Sequence, residues 1–148
     1  MKRNQGECRV FRRLTEADFG ALCDLHLRYK QEIGEEAPDE EALQRLKIAA
    51  AEERILFFGC EEQGRLLGIC SVTRGFSTFC YGACGVFEDF YILPEYRRQG
   101  IARRLAAAAR TGSGVKSMTV GCADCDRAMY EAIGFRVRLG NLLAWEDQ

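Results

Sequence analysis

The spacing of apolar residues changes twice along this chain of 148 residues, and that change limits the fold more than any other feature. From residue 55, "ILFFGCEE", a turn at Gln63–Gly64 and "RLLGICSVTRGF" predict a hairpin of two antiparallel strands. "STFCYGACG" follows as a Gly- and Cys-rich connection. "VFEDFYIL", 86–93, is the next strand, and Pro94 stops it. Ahead of this block the period is helical. After an opening strand "CRVFR", 8–12, Thr15 with Asp18 three residues on forms a capping-box variant, and Leu22, Leu25 and Tyr29 share one face of a helix running to about residue 31. Pro38 and Asp39, with Glu40 and Glu41 in the first turn, open a second helix striped by Leu43, Leu46 and Ala50. Beyond the block, 99–110 is helical through alanine content and the face of Ile101, Leu105 and Ala109. "VKSMTVGC" predicts a strand, "DRAMYEAI" a short helix closed by Gly134, and "FRVR" with "LLAW" a final hairpin around Gly140–Asn141. The order β-αα-βββ-α-β-α-ββ implies an α/β (α+β) fold, one mixed and mostly antiparallel sheet of about seven strands with helices on both faces. Residues 1–148 are expected to form a single domain.

Net charge of −1, from 21 Lys plus Arg against 22 Asp plus Glu, gives no global attraction to nucleic acid or membrane, so any basic site must be local. The first ten residues become polar before any apolar core and no later run approaches membrane-spanning length, which implies neither signal nor anchor and a cytoplasmic location. Eight cysteines at irregular spacing read as reduced, mostly core residues. Cys122 and Cys125 form a CxxC that Cys80 and Cys84 could complete into a four-thiolate zinc site, but both pairs fall in or beside strands, and no metal is expected.

The one local concentration of charge is "EYRRQGIARR", 95–104, with four arginines against one glutamate where a helix begins. Helix starts already carry partial positive charge, so Arg97, Arg98, Arg103 and Arg104 are misplaced unless an anion completes them. Gly100 permits close backbone approach, and first-turn amides together with arginines suit a diphosphate.

Within this stretch "RRQGIA" fits the [Q/R]-x-x-G-x-[G/A] signature, and the chain resembles the GNAT family of N-acetyltransferases: strand "EDFYIL", Pro94, signature, amphipathic helix. "MYEAIGF", 129–135, is similar to the family's second marker, a tyrosine on a short helix followed by Gly-Phe. The resemblance implies acetyl-CoA as cosubstrate, with backbone groups around Phe90, Ile92 and Leu93 meeting the pantetheine arm. It also implies Arg97, Arg98, Gln99, Gly100, Ile101, Ala102 and Arg103 around the diphosphate. "FEDFYILPEYR" resembles the diamine acetyltransferase branch in particular, which implies Glu88 as the base; Tyr130 matches the tyrosine that protonates the departing sulfur. Where many relatives carry an asparagine seven residues before that tyrosine, this chain has Ala123.

The expected reaction is transfer of an acetyl group to a primary amine of a small molecule by direct attack in a ternary complex, which needs a base because a protonated amine cannot attack a thioester. Asp89, next to Glu88, is expected on the opposite side of a regular strand. His26, the only histidine, reads as structural rather than as an acid or base. Six acids and no base in 31–42 suit a cationic acceptor, such as a polyamine or a lysine-like amine, or simply a solvated helix start. Nucleic acid and membrane are not expected partners, and a homodimer stays open. The competing class is a non-catalytic acyl-CoA sensor or scaffold on the same fold.

Overall fold

The computed structural model describes residues 8–147. Residues 1–7, part of the stretch expected to be neither signal nor anchor, lie outside the described residues. The elements are β1 (Val10–Arg13), α1 (Phe19–Glu32), α2 (Glu40–Ala51), β2 (Ile55–Glu62), β3 (Arg65–Thr73), β4 (Gly75–Ser77), β5 (Gly82–Ile92), α3 (Ile101–Gly112), β6 (Ser117–Thr119) and α4 (Arg127–Ile133). No helix is long and apolar enough to cross a membrane among the described residues.

The six strands run β1-β2-β3-β5-β4, with β6 on the other edge of β5. All pairings are antiparallel except β5 with β6. β2 and β3 are buried almost throughout, as their near-continuous apolar runs require of central strands. On one face α1 and α2 supply Leu22, Leu25 and Leu46 against Phe57, Ile69, Tyr91 and Leu93. On the other α3 lays Leu105, Ala106 and Ala109 on Leu56, Phe58, Val72 and Phe87, with Tyr130, Ile133 and Phe135 at its margin. Asp39 caps α2 by accepting from the Ala42 amide at 2.7 Å.

Three expectations change. β5 begins at Gly82, inside the stretch read as a connection, because β4 folds back on Gly82–Cys84. At Gly85 a Cβ would collide with the Thr73 carbonyl oxygen, so this close strand approach requires glycine. β6 is three residues rather than eight. Residues 135–147 form no helix or strand, so the expected terminal hairpin is absent. Val137, Leu139, Leu142, Leu143 and Trp145 are all more than 70% exposed. Period-2 alternation makes a strand only where a neighbouring edge and a face to bury exist, and a lone hairpin is marginal in water.

Candidate functional site

β6 accompanies β5 only over Cys84–Val86. From Phe87 onward β5 pairs with β3 alone, so the two strands part and leave one edge of β5 open among the described residues. Leu93 donates its N–H to Leu67 O at 2.9 Å and accepts from the Tyr96 N–H, also at 2.9 Å. Both backbone polar groups of Leu93 therefore have partners within the chain. By strand alternation Ile92 turns its N–H and C=O to the open edge. Arg97 Nε donates to that carbonyl at 2.8 Å, which leaves the Ile92 N–H facing the gap.

At the mouth of the gap α3 begins. Gly100, its N-cap, has φ 80° and no side chain to satisfy the first-turn amides. A Cβ there would meet nothing within 4 Å, so the space beside Gly100 at the helix start is open. No acidic residue sits in that turn. These features fit the diphosphate of CoA: free N–H donors, the positive end of a helix, and room for an anion.

The arginines fit less simply. Arg97 Nη2 donates to both carboxylate oxygens of Glu32, at 2.8 and 2.9 Å, tying the end of α1 to the signature turn. Arg103 donates to Ala132 O at 2.6 Å, and Arg104 stacks 4.3 Å over the Phe11 ring. The Gln99 side chain bridges Arg9 and the Glu95 carbonyl. Among the described residues Arg98 and Arg104 make no side-chain hydrogen bond or ion pair, and of the two only Arg104 has another partner, the Phe11 ring. Of the four positive charges only that of Arg97 is matched by a carboxylate within the chain, so the turn keeps most of its charge for an anion alongside the backbone amides.

Glu88 and Asp89 require a further correction. Ser71 pairs with Glu88 and Ile69 with Tyr91, so two residues of β5, Asp89 and Phe90, face Cys70 alone. This is a β-bulge, and Asp89 takes φ 51° within it. Asp89 therefore does not face away from Glu88. Its carboxylate accepts from Ser71 Oγ at 2.7 Å and lies 3.8 Å from His26 Nδ1 on α1. Glu88 is solvent-exposed and makes no ion pair among the described residues. Packing around its carboxyl and then the charge of Asp89 push its proton affinity up, while Lys30 on α1 pulls it down. Both carboxylates thus act on the α1 side of β5.

Tyr130, on α4, sets its ring 6.4 Å from Phe90 and 6.0 Å from Phe135. Burial first, then Tyr29, pushes its hydroxyl up to about 12, so it stays a proton donor across the neutral range. Burial first, then the charge of Asp89, pushes the hydroxyl of Tyr29 on α1 up as well, and its ring lies 6.5 Å from that of Tyr91 on β5. In sequence Tyr29 reads as one more apolar position of α1.

Most of the acidic connection has other work. Glu32 holds Arg97, Glu35 holds Lys30 at 2.6 Å, Asp39 caps α2, and Glu41 pairs with Arg45 at 2.6 Å. All eight cysteines are free, and only Cys60 and Cys70 are buried, fewer than expected. Among the described residues no three His, Cys, Asp or Glu side chains converge as metal ligands.

The profile of an acetyltransferase (GNAT) domain matches residues 53–137, more than half of the chain. Solved structures share the fold at low identity. A probable acetyltransferase is 23% identical, with a TM-score of 0.78 over 94% of this chain and 99% of its own. A predicted acetyltransferase from Clostridium acetobutylicum, solved with acetyl-CoA, is 18% identical, with a TM-score of 0.71 over 93% of this chain and 96% of its own. The aminoglycoside N-acetyltransferase AAC(6')-Iy, in complex with CoA, is 16% identical, with a TM-score of 0.79 over 98% of both chains. Curated protein sequences yield no match.

Proposed function

The chain belongs to the GNAT acetyltransferases, with acetyl-CoA as cosubstrate, and on that premise we propose that it acetylates a primary amine of a small cationic molecule by direct attack in a ternary complex. The observation that carries this reading is the opening where β5 leaves β6, lined by an Ile92 N–H without a strand partner and ending at an uncapped helix start. Acetyl-CoA supplies an activated thioester. Around it the chain supplies the rest: amides of Ile101, Ala102 and Arg103, assisted by Arg98, for the diphosphate, and the Ile92 N–H to stabilise negative charge on the acyl oxygen.

Glu88 accepts a proton from the ammonium form of the acceptor, directly or through water, so that the neutral amine can attack. Its raised proton affinity suits that task better than an ordinary carboxylate would. Tyr130 donates its hydroxyl proton to the departing sulfur. Two carboxylates on the α1 side favour a positively charged acceptor, and the likeness in fold to an aminoglycoside N-acetyltransferase points the same way. Arg97, engaged by Glu32, latches the signature turn rather than meeting the anion.

The test is release of CoA from acetyl-CoA across a panel of polyamines, diamino acids and aminoglycosides. Glu88→Gln and Tyr130→Phe should each lower kcat about a hundredfold with the Kd for acetyl-CoA unchanged. Tight acetyl-CoA binding with no release for any amine would instead mark an acyl-CoA sensor.

A further inference from the structure

The bulge in β5 is unusual in what occupies it. The left-handed position of such a bulge is normally glycine, because any Cβ is strained there. Here Asp89 takes it at φ 51°, and its side chain is only 15% exposed. A half-buried carboxylate in strained backbone persists only where its surroundings hold it. Two groups do so: Ser71, fully buried on β3, donates at 2.7 Å, and His26 approaches from α1.

His26 is 7% exposed, and its Nδ1 is buried with no hydrogen-bond partner among the described residues, 3.8 Å from Asp89 Oδ1. That polar atom is oriented towards Asp89 but stops short of a direct hydrogen bond. The charged and titratable groups around the pair are Tyr29 and Lys30 on α1, Glu35 on the connection to α2, and Glu88 on β5. β3 contributes Ser71 and the thiol of Cys70.

We propose that Asp89 and His26 are positioning residues for Glu88: the bulge, held by the Ser71 hydrogen bond with His26 packed 3.8 Å from Asp89, keeps both carboxylates on the α1 side and sets a fixed negative charge beside the base. This rests on the acetyl-transfer reading and adds two residues that the family signature does not contain. Without the extra residue, position 89 would alternate to the α3 side and Glu88 would lose its charged neighbour. His26 acts through Asp89. A neutral imidazole leaves the carboxylate's charge intact, whereas a protonated one would neutralise it; burial, opposed by Asp89, favours the neutral form.

The test combines kinetics with a titration that needs no turnover. In Asp89→Asn the acid limb of kcat/KM for the amine should move to lower pH and kcat should fall about tenfold, with KM for acetyl-CoA unchanged. Asp89→Gly keeps the left-handed backbone without the carboxylate and should behave alike, which separates charge from fold. His26→Phe should lower kcat, His26→Gln should restore part of it, and the double variant with Asp89→Asn should be no worse than the poorer single. Carbon NMR of the Glu88 carboxyl should show its midpoint lower in Asp89→Asn than in the parent protein. An unmoved midpoint, or additive losses in the double variant, overturns the proposal. A parent protein inactive on every amine would overturn the acetyl-transfer reading, while the Glu88 titration would still decide the link to Asp89.

Discussion

Arg98 sits at φ 61°, a left-handed conformation that costs an L-residue about 1–2 kcal/mol, and no intramolecular partner offsets it among the described residues. Arg98→Gly should therefore raise stability by about 0.5–1 kcal/mol, the relief being reduced by glycine's greater freedom in the unfolded chain, as a denaturant midpoint would show. The same change removes an exposed charge, so acetyl-CoA affinity should fall about twofold to fivefold. A stabilised variant with unaltered affinity would separate Arg98 from the diphosphate. At Gly100 the balance reverses. Gly100→Asp adds strain at φ 80° and puts a carboxylate where the anion belongs, so affinity should drop more than about tenfold by calorimetry.

At the scale of elements, α1 is held at both ends by charge. Arg12 on β1 donates to both Asp18 carboxylate oxygens at 2.8 Å and to Glu61 on β2 at 2.7 Å, and the Thr15 N–H donates to Asp18 at 2.7 Å. Arg12 first, partly opposed by burial, holds Asp18 down at about 2. A folded value below the unfolded one means that the stabilisation is complete above about pH 4 and is lost as pH falls towards the folded value. Asp18→Asn should cost about 2 kcal/mol at pH 7 and flatten acid unfolding across that window. Equal slopes in both proteins would show that the network contributes nothing. The other end of α1 is the Arg97–Glu32 pair, about 40% and 46% exposed, so Arg97→Ala should cost under about 1 kcal/mol and act mainly through the position of the signature turn.

Across the whole molecule, the fold ends effectively at Phe135, the last residue packed against the core. Trp145, the only tryptophan, is 90% exposed, with its indole N–H turned to Asp147 at 3.1 Å. Its emission should be that of a solvated indole and should barely move on unfolding; a blue-shifted native spectrum would show that the tail packs. Removing residues 137–147 should leave Tm within about 2 °C, because little buried surface is lost.

Signals of short range account for what sequence alone determined. The four helices, β2, β3, Pro94 as a stop and Gly100 at a helix start each rest on neighbours a few residues apart. What needed tertiary structure was partner supply. "FRVR" has the alternation of a strand but no edge to join. The signature places Arg97 near the expected diphosphate, and only the folded chain shows that Glu32, 65 positions away, meets its guanidinium. Asp89 was expected to alternate away from Glu88, and only the register against β3, with Ser71 18 positions distant and His26 across α1, bends it back. Local pattern sets which conformations are inexpensive for each segment; which of them persists, and which charge stays free, depends on groups that only the folded chain brings together.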